Sequence, residues 1–86
     1  MIERKVKCVK RDEDGDITHI GNRGEWWSPR KKADAIRDIE SENYSYYVMV
    51  NYKKVNIHVV DGSTGKYLRT DPDATTKNNL DDLPDC

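Results

Sequence analysis

The side chains with the most reactive chemistry in this chain are Cys8, His19, His58 and Cys86. A zinc site draws on thiolates and imidazoles at short, fixed spacings, and no Cys-x-x-Cys or His-x-x-x-His pair occurs here. Both histidines fall inside strand patterns, where they read as ordinary sheet residues, so no metal and no cofactor is assigned. No Gly-x-Ser-x-Gly elbow is present to strain a nucleophilic serine. Gly62 and Gly65 lack the lysine and hydroxyl residue that a phosphate-cradling loop needs in a fixed frame. The carboxylates cluster in turns and toward the C-terminus, where water solvates them, whereas a general acid or base needs a cleft and a shifted pKa. The chain is read as a non-enzyme with no catalytic residues.

A more specific pattern is Ser28-Pro29-Arg30-Lys31-Lys32. Ser is a good N-cap and Pro suits the first helical position, so a helix is expected to open here. Its first turn then carries Arg30, Lys31 and Lys32, and its last turns carry Asp38, Glu40 and Glu42. That order opposes the helix dipole at a cost of about 0.3–1 kcal/mol per misplaced charge at low salt. Two explanations stand side by side. Either the basic side chains extend into water and are screened, or Ser28, Arg30, Lys31 and Lys32 form an anion site using the free backbone N–H groups of the helix start. The acidic C-terminal segment can also cover this patch. Trp26 and Trp27 lie just before it, where a ring can stack on a base. Adjacent tryptophans at a strand-to-helix junction do not both face inward. Trp27 is expected in the core and Trp26 at the surface as a partner-binding anchor. Tyr52, Arg69, Asn78 and Asn79 are the further partner-binding candidates.

These residues need elements to hold them. Val6, Cys8 and Lys10 alternate with Lys5, Lys7 and Val9 as one strand. Arg11 to Asp16 makes a turn around Asp14-Gly15, and Ile17 to Ile20 pairs back. In the helix, Ala33, Ala35, Ile36 and Ile39 cover an arc of roughly 160°. It is expected to stop near Ser41 or Glu42, with Asn43 in the left-handed position beyond. Tyr44 to Val50, Val55 to Val60 and Lys66 to Thr70 read as three more strands joined by short loops. The expected fold is α+β: a mostly antiparallel sheet of about five strands in the order β-β-α-β-β-β, with one helix packed on one face. Residues 71–86 are expected as an irregular but ordered acidic segment, pinned to the sheet by Leu80 and Leu83.

The chain has 86 residues and a net charge of −1, enough for one small domain over 1–86 and too near neutrality for a generic nucleic-acid coat. The charge is uneven: residues 1–70 hold 14 Lys+Arg against 11 Asp+Glu, whereas residues 71–86 hold one Lys and five Asp. With no Phe, the five Tyr and two Trp must supply much of the core. No apolar run approaches the roughly 20 residues that span a bilayer. The start of the chain does not read as a signal peptide. Two cysteines make no disulfide framework, so a cytoplasmic protein with reduced thiols is expected.

Taken in order, Ile17-Thr18 with Ile20-Gly21, Gly24 with Trp26-Trp27-Ser28, Ile36 and Ile39, Tyr46-Tyr47-Val48, Val55 to Val59, Tyr67-Leu68-Arg69-Thr70, and Asn78-Asn79-Leu80 with Leu83-Pro84 resemble a prokaryotic family of unknown function, DUF3892. Asn43 departs from it where Gly is expected, and Asn tolerates the same backbone geometry. The resemblance implies a small stand-alone or accessory domain, and no activity, cofactor or site residue. The expected role is a non-enzymatic interaction or regulatory domain, monomeric, with a protein partner and no membrane. The alternative is a nucleic-acid or anion-binding module using the basic helix start.

Overall fold

A computed structural model of the chain describes residues 2–70 and 79–86. The elements are β1 (Ile2–Lys5), β2 (Cys8–Arg11), β3 (Ile17–Gly21), β4 (Arg30–Lys31), α1 (Lys32–Glu40), β5 (Tyr44–Val50), β6 (Lys53–Gly62) and β7 (Gly65–Thr70), followed by a short 3-10 turn at Asn79–Asp82. The α+β class holds, with α1 against one face of the larger sheet.

The first expected strand divides in two, and with it the sheet. Val6 donates its N–H to Tyr47, whereas Lys7 donates to Gly21. The backbone therefore crosses between Val6 and Lys7 from one sheet to another. One sheet has the order β1-β5-β6-β7 and the other β2-β3-β4. The β1–β5 pair is parallel, and every other strand pair is antiparallel. Parallel strands need a crossover connection, and β2 to α1 supplies it. The apolar alternation of Val48, Val55, Ile57 and Leu68 turns inward to meet Ala35 and Ile36 of α1. Val6, Val9, Ile20 and Leu80 close the same core from the smaller sheet and the C-terminal segment.

The helix begins three residues later than the Ser-Pro signature suggests. Arg30 and Lys31 first pair with Ile20 and His19 as β4, and Lys31 is the helix N-cap, without a side-chain cap bond. The first turn therefore carries Lys32 and Asp34 and is balanced, while the last still carries Asp38 and Glu40 beside Arg37, so the expected reversal is lost at the helix start and kept at its end. At the other end Glu42, not Asn43, takes the left-handed backbone, with φ 61°.

The C-terminal segment is tied to β2. Leu80 is fully buried. Val9 donates to the Pro84 carbonyl at 3.0 Å and accepts from the Cys86 N–H at 2.9 Å. Next to this bridge Cys8 and Cys86 form a disulfide, with Cα atoms 4.9 Å apart. The expectation of reduced thiols is corrected here. The backbone bridge brings the two residues together across 78 positions of sequence, a pairing that spacing does not reveal.

Candidate functional site

β1 is an edge strand, and in a parallel pair alternate residues turn their backbone groups to the neighbour. Ile2 and Val6 donate to the β5 side, at Asn43 and Tyr47. The N–H and C=O of Glu3 and Lys5 therefore point away from β5. Across from them stands the loop after β3, whose Asn22 Nδ2 donates to the Lys5 carbonyl at 3.2 Å. Between strand and loop runs a groove of about 350 Å³. Ile2, Glu3, Lys5, Glu25, Trp26 and Tyr44 are among its walls.

Loop residues 22–28 are held from below. Ser28 Oγ accepts the Asn22 N–H at 2.9 Å, so the hydroxyl expected to cap the helix closes this loop instead. The closure leaves Trp27 buried at 8% exposure, edge-on to Tyr46 with ring centroids 5.7 Å apart. Trp26 is 83% exposed. The expected division of the two tryptophans is the one observed.

Arg4 forms the floor. Its side chain points inward from β1 and is almost fully buried. The guanidinium lies 3.6 Å from the Tyr44 ring centroid, 5.2 Å from that of Trp26 and 5.3 Å from that of Trp27. A guanidinium has a weakly hydrated planar face that stacks on aromatic rings. Its Nη1 donates to the Tyr46 hydroxyl at 2.8 Å, and that hydroxyl donates to Asp38 Oδ2 at 2.6 Å. Asp38 also accepts both arms of the Arg30 fork, at 3.0 and 2.9 Å. Burial pushes the Asp38 carboxyl up, but Arg30, Tyr46 and Arg4 together outweigh burial and hold it below 3.8. Burial and the Asp38 contact push the Tyr46 phenol up to about 12. The network is a charged strut that fixes the floor of the groove, and the exposed Trp26 ring lies beside it.

Comparison with curated proteins and with solved structures returns no match. A family model described as "Protein of unknown function (DUF3892)" matches residues 5–84. This chain belongs to that family. The matched stretch includes the loop, the Arg30, Asp38 and Tyr46 part of the strut and most of the C-terminal segment, whereas Arg4, Asp85 and Cys86 lie just outside it in this DUF3892 chain.

The other sequence candidates of this DUF3892 chain are dispersed. Of the expected anion residues, Ser28 is engaged in the loop, Arg30 pairs with Asp38, and Lys31 and Lys32 flank the helix start. The four do not converge on one point. Tyr52 is fully exposed at the tip of the β5–β6 hairpin. Arg69 lies on β7, the strand at the opposite edge of the sheet from β1. Asn78 lies outside the described residues. Asn79 is buried, and its N–H bonds Thr70 Oγ1 at 2.9 Å. Its Nδ2 has no hydrogen-bond partner among the described residues. The carboxylates of Asp12, Asp14 and Asp16 gather in the β2–β3 turn, where Asp12 Oδ1 accepts the N–H groups of Asp14 and Asp16. All three are exposed. Sequence reasoning missed Arg4 and Asp38. The available signal was faint: on the helical wheel Asp38 lies about 60° from Ala35, at the border of the apolar arc and outside it.

Proposed function

We propose that this domain is a small non-enzymatic interaction module that docks a protein partner along the β1 edge. The observation that carries the reading is the exposed Trp26 ring beside a strand edge with outward backbone groups. An extended partner segment satisfies such an edge with main-chain hydrogen bonds, and a flanking pocket selects its side chains. Trp is the residue most enriched among energetic anchors of protein interfaces. Glu3, Lys5 and Glu25 give the groove a mixed polar rim, which suits an extended peptide better than a polyanion. The dispersal of Ser28, Arg30, Lys31 and Lys32 weighs against the nucleic-acid alternative. No helix among the described residues is long and apolar enough to cross a membrane.

The test is selection of peptides from a random displayed library against the wild-type domain and Trp26→Ala. Support consists of enriched peptides that lose at least about tenfold in affinity to Trp26→Ala, the usual cost of an interface anchor. They also slow amide exchange at Glu3 and Lys5. Peptides that bind Trp26→Ala as well as wild type, or leave those amides unprotected, overturn the reading. Single-stranded DNA retained at low salt and released at high salt, with no peptide enriched, returns the nucleic-acid alternative.

A further inference from the structure

The smaller sheet ends on the chain's own C-terminal residues, and that closure is partly covalent. We propose that the Cys8–Cys86 disulfide is a redox-operated latch: oxidised, it holds residues 84–86 on the edge of β2, and reduced, it frees that edge. This goes beyond the docking reading and does not depend on it.

The non-covalent hold on residues 84–86 is slight. Beyond the two hydrogen bonds with Val9, Asp85 accepts from Arg11 through its side chain at 3.0 Å and from Arg23 through its carbonyl at 3.3 Å. The Asp85 side chain is 82% exposed, so its ion pair adds little. The apolar anchor of the segment is Leu80, upstream of the latch. Arg11 Nη2 bonds the carbonyls of Leu80, Asp81 and Leu83 on the same upstream side. The covalent bond is thus the strongest link between residues 84–86 and the body, and the segment before them is secured independently. Opening can therefore be local.

The two sulfurs differ in access. Cys8 is buried at 4% exposure, whereas Cys86 is half-buried and lines a shallow surface groove with Lys10, Arg11 and Asp85. A thiolate of a dithiol reductant attacks Cys86 Sγ and forms a mixed disulfide, while Cys8 leaves as a thiolate and takes up a proton. The reductant's second thiol then displaces Cys86, which also takes up a proton. Two electrons and two protons pass to the protein, and the dithiol becomes a disulfide. Gly21 provides the seat. A Cβ there would lie 3.0 Å from Cys86 Sγ and 3.5 Å from Cys8 Sγ. Opening leaves the N–H and C=O of Val9 without their partners in the strap, an edge able to accept another strand.

Amide exchange of the whole chain, oxidised and in excess reduced dithiothreitol, with free thiols counted in parallel, tests the latch. Reduction is expected to release two thiols and to speed exchange at Val9 and Cys86 by at least about tenfold. Ile20, Val48 and Ile57 should keep their protection, and oxidised dithiothreitol should restore the starting pattern. Cys86→Ser should reproduce the reduced pattern without reductant. Unchanged protection at Val9 after reduction overturns the proposal, because the strap then stays without its bond. Loss of protection through both sheets overturns it too, because the disulfide is then a structural staple. Two thiols that remain free in oxidised dithiothreitol overturn it at the first step.

Discussion

Asp38 collects more polar contacts than any other carboxylate described here: two from Arg30, one from the Tyr46 hydroxyl, and the nearby charge of Arg4. Its side chain is 10% exposed, so these contacts act with little screening from water. Removing one partner of a buried ion pair leaves the other charge uncompensated, at a cost of about 3 kcal/mol. Asp38→Asn is expected to lose about that much stability in urea unfolding. The direction of the Asp38 shift sets the acid limb. Its folded pKa lies below 3.8, so its contribution is fully present above the unfolded value and is lost as pH falls through the folded one. Wild type should therefore weaken steeply below about pH 4, the unfolded carboxylate value, and Asp38→Asn should weaken less there. The alkaline limb runs the other way. Tyr46 titrates at about 12 in the fold, against 10.0 for the free phenol. Its contribution is full below 10 and is lost as pH climbs toward 12. Tyrosinate absorbance should show one phenol ionising late, and Tyr46→Phe should remove that late step. If all five tyrosines ionise together while the protein remains folded, the strut is not closed as described.

At the scale of elements, what was legible was what local pattern controls. The strands at Tyr44–Val50 and beyond, the helix body and the places of the hairpins follow from alternation, helical period and loop composition, while the strands run further into the turns than the pattern suggests. Two features escaped. The strand from Lys5 to Lys10 looked continuous because Val6 and Lys7 keep the alternation, and only the partners of their N–H groups show the change of sheet. The helix start was misplaced because Ser28-Pro29 carries a helix-opening signature, while Arg30 and Lys31 had a strand edge at β3 to satisfy first. The groove was half legible: Trp26 stood out as an exposed anchor, but its wall is an edge created by the same unseen crossing. One hairpin departs from its own chemistry. Asn51 and Tyr52 both have positive φ, 51° and 66°, and the second of these positions ordinarily belongs to Gly. Tyr52 is fully exposed, so its ring gains no packing to offset a strain of about 1 kcal/mol. Tyr52→Gly is expected to stabilise the domain by about 0.5–1 kcal/mol in urea unfolding, since Asn-Gly is the favoured pair for this turn. An equal or lower stability would mean that the Tyr52 ring has a partner in the folded domain after all.

On the scale of the whole molecule, two small sheets share one helix and one core. The chain passes between them at Val6-Lys7 and again through α1, and the disulfide, which spans 78 positions of sequence, ties the C-terminal residue to β2. Cross-linking so long a loop removes entropy from the unfolded chain, worth roughly 4.5 kcal/mol in the chain-entropy model. A domain of this length has in total roughly 4–13 kcal/mol. The bond can thus supply a large share of the stability without supporting any native contact beyond residues 84–86, because the entropy term belongs to the unfolded state. A latch that opens locally then requires an oxidised stability well above 4.5 kcal/mol, so that the reduced form stays folded. Urea unfolding of wild type with and without reductant, beside Cys86→Ser, measures this directly. The reduced protein and the variant should agree with each other, fall about 3–4.5 kcal/mol below the oxidised protein, and still unfold cooperatively. A larger slope against urea is also expected on reduction, since the unfolded chain is no longer looped and exposes more surface. If the midpoint does not move, the unfolded chain gains nothing from losing the cross-link. The stability then rests on the core around Val6, Val9, Ile20 and Leu80 and not on the cross-link.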